Sequence, residues 1–151
     1  MAQQSLITPE MRKSIGKDLG SVTIEIEKGM IRKYAEAIED SNPLWTDPSF
    51  AAKTRYKGLI ASPGLFTAIM MRGGALRPLD TGLTRLLDGG GEYEFLKPVR
   101  PGDVLTAHNT LKDLFERPGK MGPMLFQVFE TTWTNQKGEL VATNRSTMIC
   151  Y

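Results

Sequence analysis

A single cysteine, Cys150, and a single histidine, His108, are all the chain of 151 residues offers of either type. No internal disulfide can form, and no zinc site is expected, because such sites usually take three or four nitrogen or sulfur ligands. Long apolar runs are missing as well. Nothing approaches the roughly 20 apolar residues of a membrane span, and the opening MAQQSLITPEMRK has no apolar stretch that could act as a secretory signal. A soluble protein in the cytoplasm is expected. Charge of one sign is also lacking. Nineteen basic residues stand against 17 acidic ones, a net charge of +2, too small and too interspersed for the one-signed field that nucleic acid or an anionic membrane requires. Neither partner is expected. At this length one domain over residues 1–151 buries an adequate core by itself.

What is present is pattern. Residues 1–20 form a polar lead-in, in which TPEMRKSIGKDLG can make one short helix capped by Thr8 with Pro9 in its first position. In SVTIEIEK, Val22, Ile24 and Ile26 share one face of a half-buried strand. GMIRKYAEAIED places Met30, Ile31, Tyr34, Ala35 and Ile38 at helical spacing, opposite Arg32, Lys33, Glu36 and Glu39. After the Asn42-Pro43 turn, Asp47 can cap a short helix that begins at Pro48. LFTAIMMRGGAL then has almost no polar face before Gly73-Gly74, so its Leu65, Phe66, Ile69, Met70 and Met71 are expected to be buried.

From residue 77 the period changes to two. RPLDTGL and DGGGEYEF read as loop-like, and strands are expected over 91–97, 103–115, 123–134 and 140–150. The turns PVRPGD, ERPGKMG and NQKGE are too short for parallel crossovers, so the strands are antiparallel. One apolar helix followed by a long meander predicts an α+β protein in which a curved antiparallel sheet wraps a central buried helix.

That arrangement resembles the hotdog fold, and three motifs sharpen the likeness. YAEAIEDSNPLWTDPSFA is similar to the signature of MaoC-type (R)-specific enoyl-thioester hydratases: an aromatic, Gly-Asp, Asn-Pro, an aliphatic residue, His, and a later Asp before Phe-Ala. GLIASPGLF resembles the approach to the family's central helix, and FLKPVRPGDVLTA its strand-turn-strand segment. Together they cover residues 20–150 in the family's order. TDPSFAAKTRYKG and ASPGLF bring the chain closest to the N-terminal dehydratase-like branch, which includes accessory subunits of 3-hydroxyacyl dehydratases. The resemblance implies addition of water to a trans-2-enoyl thioester, or its reversal. An Asp and a His share the water, while a backbone N–H at the start of the buried helix polarises the carbonyl.

Carried over residue by residue, the resemblance assigns Asp40 to the catalytic aspartate and Asn42 and Pro43 to the Asn-Pro turn. Trp45 stands where His belongs, and Glu39 replaces the Gly. An indole N–H donates a hydrogen bond but is neither basic nor readily deprotonated, so Trp45 cannot relay a proton. Within this chain Asp40 therefore reads first as a turn residue bonding nearby backbone, and Trp45 as a packing residue. His108 is expected on an outward strand face with Val104, Thr106, Thr110 and Lys112, away from any mechanism. Gly102 and Asp103 read as turn formers. Arg55, Lys57, Lys97 and Arg100 read as ordinary loop charges, with a role against pantetheine-carrier phosphates as the sharper alternative.

Gly64, after Ser62 and Pro63, is the candidate carbonyl-polarising N–H. The acyl chain is expected along Phe66, Ile69 and Met70, and a bulky side chain at Gly64 is expected to block the ligand while leaving the fold largely intact. No cofactor is implied beyond the CoA or acyl-carrier thioester that bears the substrate. The implied function is a hydratase or dehydratase subunit, the structural half lacking the catalytic His, inactive alone and paired with a MaoC-like partner. The alternative is a non-enzymatic acyl-thioester-binding homodimer or scaffold. A thioesterase is disfavoured because the central helix offers no acidic base. A dimer or larger assembly is expected in either case.

Overall fold

The computed structural model describes residues 5–72 and 78–151. Five strands form one antiparallel sheet in the order β1-β3-β4-β5-β2: β1 (Asp18–Glu25), β2 (Leu86–Phe95), β3 (Val104–Gly119), β4 (Gly122–Thr134) and β5 (Leu140–Cys150). Helices α1 (Pro9–Lys13), α2 (Lys28–Ala37), α3 (Pro43–Thr46), α4 (Pro48–Ala52) and α5 (Leu65–Arg72) precede the meander, apart from β1. The hotdog arrangement expected from the strand pattern is the one observed.

Helix α5 supplies the centre. Leu65, Phe66, Ile69 and Met70 are all buried, in one cluster with Leu105, Ala107, Trp133 and Ala142 of the sheet. Burying side chains of this size contributes about 1.5–3 kcal/mol each. Phe66 meets Trp133 edge-on at 5.3 Å between ring centroids, a geometry that favours the ring quadrupoles. The expected Gly73-Gly74 break, Leu76 and the side chain of Met71 lie outside the described residues.

Several boundaries move from the sequence expectation. β1 begins at Asp18, inside the lead-in, and β2 begins at Leu86, so the glycines of DGGGEYEF belong to a strand rather than a loop. The register shifts between Asp88 and Gly91, where Gly90 has φ +96° and its amide donates to Asp88 Oδ1 at 2.8 Å. A bulge absorbs the residues that composition assigned to a turn. β3 runs four residues beyond position 115, because Pro118 and Pro123 pair across the hairpin and leave only Lys120 and Met121 in the turn. At the other end, Ser5 Oγ and the Ile7 amide donate to Glu116 Oε1 at 2.6 and 2.9 Å, fastening the lead-in to the hairpin. The Ser5 hydroxyl, ahead of the Ile7 and Leu6 amides, holds the Glu116 carboxyl below its ordinary value.

Candidate functional site

The site begins where α2 stops. Glu39 adopts φ +55°; its amide donates to the Glu36 carbonyl at 3.2 Å, and the Asp40 amide to the Ala35 carbonyl at 2.9 Å. That pair of bonds is a Schellman ending, which wants a left-handed residue at the position Glu39 holds. The chain then turns so that Asn42 caps α3: its Oδ1 accepts from the Leu44 amide at 3.0 Å, with Pro43 next in the first turn.

These local devices bring Asp40 and Trp45 together. Trp45 Nε1 donates to Asp40 Oδ2 at 2.8 Å, and the Asn42 amide donates to Asp40 Oδ1 at 3.0 Å. Each carboxylate oxygen is engaged once, one by backbone and one by an indole. Trp45 packs against the central cluster and also lines a 380 Å³ cavity with Lys28, Arg32 and Leu59.

Gly64 lies immediately before α5. Leu65, Phe66 and Thr67 donate back to the Ser62, Pro63 and Gly64 carbonyls at 3.0, 3.3 and 3.1 Å. Among the described residues, the Gly64 amide itself donates to no acceptor. A Cβ at Gly64 would stand 2.5 Å from Tyr34 Oη and 3.3 Å from Tyr34 Cζ. The glycine is required by α2 packing on α5, so a bulky substitution there would disturb packing before any ligand. Sequence reasoning missed this role of Tyr34, whose only signal was its place on the apolar face of α2.

Two cavities flank the start of α5. The larger, 540 Å³, is lined by Ile24, Met30, Tyr34, Leu65, Ala68 and Ile69. The other, 300 Å³, is lined by Arg55, Tyr56, Pro63, Phe66, Phe95 and Lys97 among others. Phe66 and Ile69 therefore face different cavities, while Met70 is buried and accepts a contact from Tyr93 Oη at 3.3 Å. Among the described residues, neither of these two cavities is lined by all three.

Of the four loop cations, Arg55 and Lys97 meet in the smaller cavity. Arg100 is committed to the Tyr56 carbonyl, and Lys97 also pairs with Glu139 at 2.5 Å. Gly102 adopts φ +87°, and Asp103 Oδ2 accepts from the Arg100 amide at 2.8 Å, the turn-forming roles expected of them. His108 is exposed on the outer face, 3.7 Å from Asp18 Oδ2. Among the described residues no group of His, Cys, Asp and Glu could hold a metal, and no helix is long and apolar enough to cross a membrane.

A five-stranded antiparallel sheet packed on α5, preceded in the chain by an acid and an Asn-Pro turn, defines a hotdog protein of the MaoC-like dehydratase class. The model of the FAS1-like dehydratase domain region matches residues 13–144, and the chain belongs to that family. It is 30% identical over 129 residues to a UPF0336 protein of Thermobifida fusca, covering 83% of this chain and 82% of the relative. It is 32% identical over 133 residues to a probable enoyl-CoA hydratase alpha subunit of Thermomonospora curvata, covering 77% of this chain but only 42% of that protein. Among solved structures it is similar to the MaoC-like dehydratase of Rhodospirillum rubrum, with a TM-score of 0.73 and 26% identity over 91% of this chain and 92% of that one.

Proposed function

We propose that the chain is the non-catalytic subunit of an (R)-specific enoyl-thioester hydratase or 3-hydroxyacyl-thioester dehydratase, completing the fold and acyl pocket of a partner that carries the Asp and His. The observation that carries this reading is the Trp45 Nε1 bond to Asp40 Oδ2 at 2.8 Å. Hydration needs one group to take a proton from water and another to return one to the α-carbon. At Asp40 the position of the second group holds an indole, which can do neither. The carboxylate is left orienting a turn. The relative named as an alpha subunit supports a role within an assembly.

The test is turnover of crotonyl-CoA by the purified chain. Positioned acid-base groups contribute about a hundredfold to ten-thousandfold, so the chain alone is expected to show no rate above background, and Asp40→Asn to change nothing. Robust turnover that Asp40→Asn abolishes would overturn the proposal.

A further inference from the structure

Across the inner face of the sheet, four positions lie side by side. Asn109 of β3 faces Thr131 of β4, Thr131 faces Asn144 of β5, and Asn144 faces Tyr93 of β2. In the adjacent row Leu111, Phe129, Ser146 and Gly91 are neighbours in the same way. Asn109, Thr131 and Asn144 are at most 2% exposed, on a face that also carries the polar side chains of Gln127, bonded to Leu79, and Ser146. Thr131 Oγ1 donates to Asn109 Oδ1 at 3.0 Å, and Trp133 Nε1 donates to Asn144 Oδ1 at 2.9 Å. Because an indole only donates, it fixes the Asn144 amide with its oxygen toward Trp133 and its NH2 away.

Three polar atoms remain over. Among the described residues, Asn109 Nδ2, Asn144 Nδ2 and Ser146 Oγ are buried without a partner. Buried polar groups are nearly always satisfied, so a cluster of such exceptions on one face needs an occupant. Two amide donors and a hydroxyl call for a hydrogen-bond acceptor. A carboxylate is a poor candidate, since an uncompensated buried charge is far costlier than a neutral oxygen. To one side lies the cluster containing Trp133 and Met70, and to the other the cluster containing Leu111 and Phe129, so the acceptor is flanked by apolar surface on both sides. The row ends at the sheet edge on Gly91, which has no side chain, and Ser146 beside it is only half-buried.

We propose that Asn109, Asn144 and Ser146 bind a neutral oxygen within an aliphatic chain, a keto or hydroxyl group in the acyl part of a thioester, reached from the β2 edge. This rests on the acyl-thioester reading above and adds a preference for oxygenated chains. The asparagines select the ligand at a cost to the core, since each keeps one unpaired amide donor buried there.

The test is calorimetry on the purified chain, with its partner where one copurifies. The probes are a saturated acyl-CoA and same-length acyl-CoAs bearing one keto group at successive mid-chain carbons. One keto isomer is expected to bind about tenfold tighter than the saturated chain, the gain of two neutral hydrogen bonds. Asn109→Leu is expected to remove that preference and, by leaving the buried Thr131 hydroxyl without its acceptor, to lower Tm. Ser146→Ala, which leaves the Trp133 and Thr131 bonds in place, is expected to weaken the preference and serves if Asn109→Leu does not fold. Equal affinity for saturated and keto chains would mean that ordered water alone occupies the patch, overturning this inference while the acyl-thioester reading stands. A preference untouched by both variants would also overturn it. Failure of every acyl-CoA to bind would remove the underlying reading and the inference with it.

Discussion

Glu39 sits at φ +55°, a conformation that costs an L side chain about 1–2 kcal/mol and that glycine adopts freely. The Schellman ending of α2 demands that backbone whatever residue is present, because the Asp40 amide must reach the Ala35 carbonyl. Glu39→Gly is therefore expected to stabilise the fold by roughly 0.5–1 kcal/mol, after allowing for the greater unfolded-state freedom of glycine. Urea denaturation checks it, and an unchanged or lower midpoint would show that the Glu39 side chain offsets the strain. Trp45 shows the complementary case. Its ring and N–H hold the turn, and the same bond leaves Asp40 without an imidazole.

Between elements, α2 meets the residue leading into α5 at one tight pair, Tyr34 against Gly64. With Tyr34 Oη at 2.5 Å from the site of any added Cβ, Gly64→Ala must push the helices apart or rotate the ring. Overpacking of this kind costs about 1–3 kcal/mol. Tyr34→Phe removes the nearest atom, so it is expected to recover most of that loss when combined with Gly64→Ala. Denaturation midpoints of the four proteins in the cycle measure the coupling. Additive effects would show that the hydroxyl is not what the glycine accommodates.

For the whole molecule, the open question is the β2 edge. The strand closes one side of the sheet, and Leu86, Leu87, Phe95 and Leu96 on or beside it are 45–55% exposed. An unpaired edge carrying large apolar side chains is a template for another chain. Light scattering at micromolar concentration is expected to report a dimer or larger assembly, and Leu87→Lys to shift it toward monomer. A wild-type monomer would place the exposed residues in some other role.

Much of this was legible in the chain itself. The period-two strands, the Thr8 and Asp47 caps, the buried face of α5 and the outward His108 follow from local spacing and hydrogen-bonding capacity, which act over a few residues and leave a mark in the sequence. The resemblance to the MaoC signature brought Asp40 and Trp45 into view, and the incompatibility of indole with proton transfer needs only residue chemistry. Tertiary structure decided the rest. DGGGEYEF reads as a loop because glycine favours turns, yet pairing with β5 makes it a bulged strand. Phe66 and Ile69 are three apart on one helix, and only the packing of α2 and β2 on either side assigns them to different cavities. Asn109, Thr131 and Asn144 lie up to 35 positions apart, counting from 109 to 144. No local pattern joins them, because their adjacency is a property of strand register, which the chain acquires only when the sheet is formed.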